Sequence, residues 1–149
     1  MCSSESNHEA NNNDADSGTC TGISLTTCSD AKILNSTANN NQASSSCTGI
    51  LLSTNSSMKF NGVSTSNNNS SGGASRGVYS TGASSAIAFA NCKFNNNYSS
   101  GGVVRGFDAH TFSANSIINC DASGNYTNTA ANNVIGLLLD TNKIGRAHV

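Results

Sequence analysis

Few side chains in this sequence could carry chemistry, and their spacing sets them apart from one another. Asp30, Asp108, Asp121 and Asp140 are the candidates for general acid–base work, which requires two such groups within reach of one substrate bond. Referred to the internal repeat described below, Asp108 follows its glycine by two residues and Asp140 by four. Asp121 follows its asparagine marker by two, and Asp30 falls in a turn. No two occupy equivalent positions, so they read as solvated carboxylates, and no catalytic residue is expected. The six cysteines, Cys2, Cys20, Cys28, Cys47, Cys92 and Cys120, form no Cys-x-x-Cys pair, and His8, His110 and His148 are not spaced as ligands. Zinc binding is therefore not expected, and nothing calls for a cofactor.

Composition narrows the classes further. Of the 149 residues, 10% are charged and 5% aromatic, Pro and Trp are absent, and the formal net charge is −1. Nucleic acid is excluded as a partner, because its phosphates demand many Lys and Arg contacts. No apolar run approaches the ~20 residues of a membrane span, so no membrane contact is expected of this segment. The opening residues lack the charged head and apolar stretch of a signal peptide. Asparagine alone accounts for 24 residues, and Ser plus Thr for 39. So lean a supply of large apolar side chains suits a repeat protein, in which each unit buries a thin strip against its neighbours.

The repeat is visible in two registers. Glycine followed by an apolar residue recurs at Gly22-Ile23, Gly49-Ile50, Gly77-Val78, Gly106-Phe107 and Gly136-Leu137, at spacings of 27, 28, 29 and 30. Independently, a pair of asparagines six apart recurs at Asn7 to Asn13, Asn35 to Asn41, Asn61 to Asn67, Asn91 to Asn97 and Asn119 to Asn125. Apolar or small residues alternate beside both markers, as in Leu34, Ser36, Ala38; Phe60, Gly62, Ser64; and Ala90, Cys92, Phe94. Period two means strand, and helical spacing does not fit. Intervening stretches such as 39–45 and 67–73 read as turns, where Asn and Gly tolerate positive φ.

Two clear strands and a short third per unit, running the same way from unit to unit, predict an all-β fold. It is a single-stranded right-handed parallel β-helix of about 26–30 residues per coil and about four full coils, over residues 1–143. Ile23, Ile50, Val78, Phe107 and Leu137 should form one inward stack. Asn13, Asn41, Asn67, Asn97 and Asn125 should form a turn ladder of shared amide hydrogen bonds. Cys20 with Cys47, and Cys92 with Cys120, are repeat-equivalent, close enough across coils for a disulfide. Cysteine is also a small hydrophobe suited to an inward stack, so free thiols are the favoured reading and a Cys20–Cys47 bridge the alternative. Arg76 and Arg105 share a column and should face solvent, though such a pair could touch an anionic glycan. Thr21 and Thr48 stack too, but two threonines are too few for an ice-binding face. Six Asn-x-Ser/Thr sequons are about what chance gives in this composition and say nothing of secretion.

The final six residues, Ile144-Gly145-Arg146-Ala147-His148-Val149, depart from the repeat. They also translate a common sequencing-adapter string, so residues 144–149 are expected to be a non-native tail. Neither terminus supplies the capping unit a solenoid needs, which points to a segment of a longer protein.

At Phe94-Asn95-Asn96-Asn97 and Gly101-Gly102-Val103-Val104 the chain resembles the polymorphic outer membrane protein repeats of chlamydiae and related trichomonad surface proteins. Those families carry Phe-x-x-Asn and Gly-Gly-(Ala/Ser/Val)-(Ile/Leu/Val/Tyr) motifs. Gly72-Gly73-Ala74-Ser75 is a near match. The resemblance implies a pectin-lyase-like β-helix displayed at the cell surface or secreted, adhesin-like and non-enzymatic, with a host glycan or surface protein as partner. The alternative is a piece of a carbohydrate-active lyase or hydrolase whose catalytic coils lie elsewhere.

Overall fold

The computed structural model describes residues 5–110, 112–130, 132–140, 143–144 and 147–148. Three parallel sheets run the length of the molecule, and each coil contributes one strand to each. The first, the glycine sheet, stacks Cys20–Thr26, Cys47–Ser53, Ser75–Ser80, Val104–His110 and Val134–Asp140. The second runs from Glu5–Ser6 through Lys32–Leu34, Lys59–Asn61 and Ser84–Ala90 to Phe112–Ile118. The third is made of two-residue strands, among them Gln42–Ala43, Asn69–Ser70 and Tyr98–Ser99. The chain is thus a parallel β-solenoid of about four turns, with three strands per coil. The stretches expected as plain turns contain these short third strands. In the segment 144–149, Ile144 and Ala147–His148 pair with the Phe112–Ile118 strand; residues 145, 146 and 149 lie outside the described residues.

The corners explain the asparagines. The asparagine markers fall in two of the columns that hold left-handed backbone, with φ between 46° and 66°: Asn7, Asn35, Gly62, Asn91, Asn119, and Asn12, Asn40, Asn67, Asn96, Gly124. Asparagine tolerates this region better than other side chains, and glycine enters it freely. In the third coil Gly62, not Asn61, takes the corner, and every register count shifts by one there. Asn61 instead ends the strand, opposite Leu34 and Ala90.

Each left-handed residue also resets the strand's alternation. The alternation read straight through each marker therefore breaks at the corner: Leu34, Gly62, Ser64 and Ala90 are only half-buried. The buried strand residues are Ile33, Phe60, Phe89 and Ile117, and beyond the corner come Ser36 and Ala38, Val63 and Thr65, Cys92 and Phe94.

The core is narrow and layered. Phe60 and Phe89 stack at 4.5 Å between ring centres, 13° from parallel. Phe89 meets Phe94 and Phe107 edge-on at 5.8 and 5.1 Å. Rings from the second sheet, the glycine sheet and the segment between two corners therefore converge on Phe89. The repeated glycine has a packing cause: a Cβ on Gly49 would lie 2.7 Å from both the Gly77 carbonyl oxygen and the Thr65 Cβ. Only hydrogen fits where the sheet closes against the turn.

Candidate functional site

The inward stack forms one row. Ile23 pairs with Ile50, Ile50 with Val78, Val78 with Phe107 and Phe107 with Leu137. The first four are buried and Leu137 packs against them. The asparagine ladder runs through Asn13, Asn41, Asn68, Asn97 and Asn125: each Nδ2 donates to the next Oδ1, at 2.8, 2.9, 3.0 and 3.0 Å. Asn68 replaces the expected Asn67, which holds the exposed left-handed corner beside it because Gly62 displaced the count. Sequons at Asn55, Asn68 and Asn97 are buried. Asn55 accepts from the Cys28 amide and donates to the Leu25 carbonyl, so its amide is structural.

Among the described residues the cysteines divide into two free pairs and one bonded residue; Cys2 lies outside them. Cys20 and Cys47 are register partners but free thiols, so the proposed bridge between them is not formed. Each Sγ turns toward a carbonyl of its own coil, Asn13 at 3.7 Å and Asn41 at 3.1 Å. Burial pushes the Cys47 thiol up to about 12 and raises Cys20 as well. Cys28 is disulfide-bonded.

Cys92 and Cys120 are free and sit one above the other on adjacent coils. Each S–H points to a carbonyl, Cys92 to Ala90 at 3.1 Å and Cys120 to Ile118 at 3.4 Å; interaction with the neighbouring Cys92 thiol lowers Cys120 to about 7, and the same interaction, then burial, raises Cys92. Cys120 is also the more exposed of the two. It should therefore lose its proton first, and its alkylation should climb as pH passes about 7. Cys92→Ala removes that neighbour and lets the Cys120 thiol rise toward the ordinary ~8.5. At neutral pH its alkylation by iodoacetamide should then slow about three- to fourfold, because the loss of thiolate fraction is partly offset by the higher nucleophilicity of the less acidic thiol. Peptide mapping of the alkylated chain reads this directly. Equal rates in the two proteins would contradict the coupling of the two thiols.

The richest cluster lies where carboxylate and arginine were read as separate solvated groups. Asp108 is fully buried on the outer side of the glycine sheet. Arg76 Nε lies 2.7 Å and Arg105 Nη1 2.6 Å from its Oδ2, and His110 Nε2 lies 3.3 Å from Oδ1. The Arg76 guanidinium also stands over the Tyr79 ring at 4.2 Å, and Tyr79 meets His110 edge-on at 6.3 Å. Both arginines are mostly covered, with side chains 17% and 19% exposed, which corrects the solvated reading.

Stacking explains the convergence. Arg76 is the register partner of Arg105, and Tyr79 of Asp108. Gly106 and Phe107 both face the interior, so the strand bends there, and Arg105 and Asp108, three apart, share the outer face. Two like charges in one column are held together by the acid between them. Asp30 and Asp121 stay exposed and apart. Asp121 is lowered by hydrogen bonds from Ser123 and Asn95. The side chain of Asp140 lies outside the described residues. Among the described residues no group of three His, Cys, Asp or Glu is placed to hold a metal ion.

The fold defines a parallel β-solenoid with a polar, aromatic-bearing outer face on its glycine sheet. Comparison with known proteins finds no matching family model, no matching curated protein and no matching solved structure.

Proposed function

We propose that this chain is a non-enzymatic recognition module, adhesin-like, that binds through the lateral faces of its solenoid at a cell surface or as a secreted protein. The supporting observation is the Arg76–Tyr79–Arg105–Asp108–His110 cluster. It gathers charge, aromatic surface and hydrogen-bond donors on one outer face of a rigid scaffold, the combination that recognition sites use. Asp108 holds both guanidiniums in place, so little side-chain freedom is lost on binding.

The resemblance of Phe94 to Asn97 and Gly101 to Val104 to surface-protein repeats supports display outside the cell. These same residues have structural work here, however. Phe94 is core, Asn97 is ladder, and the Gly101 and Gly102 amides bond to Ser99 Oγ at 3.2 and 2.8 Å. Motifs of this kind report the coil rather than the ligand. The second reading, a piece of a carbohydrate-active enzyme, draws on the Asp108–His110 contact. A carboxylate with no exposure cannot reach a substrate bond.

Glycan arrays and intact cell surfaces test the proposal. The chain should bind a defined subset, and Tyr79→Ser with His110→Gln should abolish that binding while the melting curve keeps its cooperative shape. Absence of binding to every glycan and surface would overturn it, as would release of unsaturated sugars from a polysaccharide.

A further inference from the structure

A second outer feature lies on the second sheet, away from the arginine cluster. Lys32 and Lys59 are register partners on adjacent coils, both exposed. Strands of one sheet lie about 4.8 Å apart, so two ammonium stems rise side by side. Like charges directly opposite are destabilising, and neither lysine has an ion pair among the described residues: the pairs there all converge on Asp108.

The next residue in the column is Ala88, so the lysines overhang a place with almost no side chain. Two residues earlier runs a column of left-handed backbone, Asp30, Ser57 and Ala86, with φ of 56°, 53° and 55°. At Ala86 the strand slips register against its neighbour. The two columns flank an open groove of about 400 Å³, within the size range of small-ligand sites. Its polar lining is two ammoniums, one carboxylate from Asp30 and the Ser57 hydroxyl.

We propose that this groove binds an acidic sugar unit, its anionic group between Lys32 and Lys59 and its hydroxyls on Asp30 and Ser57. The chemistry follows from the lining. Two cations and one anion leave a net positive charge that an anionic ligand cancels, and the cancellation removes the repulsion between the stacked lysines. Asp30, held outside ion-pair distance of either lysine, keeps its oxygens for hydroxyl donors. A bare inorganic anion would use only half the site. The inference names a ligand class within the lateral-face reading above and rests on it, but it places the ligand on a different sheet.

Titration calorimetry on the whole chain distinguishes the outcomes, with glucose 6-phosphate and glucuronate as probes and glucose and inorganic phosphate as controls. At least one of the two probes should bind saturably, and the stronger identifies the acidic group. Inorganic phosphate should bind more weakly and glucose not at all. Lys32→Gln with Lys59→Gln should weaken probe binding at least tenfold and should not lower the melting temperature, because both side chains are exposed and repel. No saturable binding of either probe up to about 10 mM would overturn the proposal. So would equal binding by inorganic phosphate, the mark of an adventitious ion only, or undiminished binding by the glutamine variant. If array binding is lost in the Tyr79/His110 variant but kept in the lysine variant, the lateral-face reading stands and the groove assignment fails.

Discussion

Asn68→Ala should cost about 3–5 kcal/mol of unfolding free energy, a large share of the 5–15 kcal/mol of a typical domain. Asn68 is fully buried. Its Oδ1 accepts from both the Asn41 amide nitrogen, at 3.2 Å, and Asn41 Nδ2, at 2.9 Å. Its own Nδ2 donates to Asn97 Oδ1 at 3.0 Å. Alanine strands two buried donors of Asn41 where water cannot reach them, and each stranded donor costs about 1–3 kcal/mol. Asn67→Ala is the matched control. Asn67 is exposed and contributes left-handed backbone rather than a ladder bond, so its replacement should cost about 1 kcal/mol. Urea denaturation of the two variants reads the difference. If the Asn67 variant is the weaker protein, the ladder has been placed one residue out.

Phe89→Ala should cost about as much, 3–5 kcal/mol on the scale of buried aromatic truncations. The ring has no solvent exposure and touches Phe60, Phe94 and Phe107, one from the coil beside it in its own sheet and two from the other walls. Deleting it leaves a void that the three walls cannot close without moving the hydrogen-bonded strands that carry them. Phe89→Leu keeps most of the volume and should cost under about 1.5 kcal/mol. Thermal denaturation of the pair separates loss of packing from loss of area. Similar, small losses in both would mean that the coil interior is not packed as described.

Much of the architecture was legible from spacing alone. The glycine marker recurs because a Cβ would strike the next coil's backbone at Gly49 and its equivalents, and a steric demand of that kind admits one residue type. The asparagine marker was readable for the same reason, with one ambiguity. Left-handed corners accept Asn or Gly, so an Asn61-Gly62 sequence offers two candidates for one slot, and nothing local decides between them. The choice of Gly62 moves the ladder from Asn67 to Asn68.

The Asp108 cluster was harder to see, because it depends on a bend. Alternation puts Arg105 and Asp108 on opposite faces, and only the turn of the strand at Gly106–Phe107 brings them together. Arg76 arrives from a coil 29 residues away in sequence. The equivalence of Arg76 and Arg105 was visible; that a carboxylate between them would make the pair stable was not. The two cysteine pairs were legible as neighbours, whereas their protonation depends on burial and on the coupling of the two thiols.

Register between coils is the claim on which the ladder, the aromatic core and both outer sites depend. Methyl NOE spectroscopy on chain labelled at Ile and Val measures it most directly. Stacking in the observed register gives cross-peaks for Ile23 with Ile50 and for Ile50 with Val78, residues 27 and 28 apart in sequence, and none for Ile23 with Val78, which lie two coils apart. A spectrum lacking the first two, or one pairing Ile23 directly with Val78, would contradict the solenoid described here.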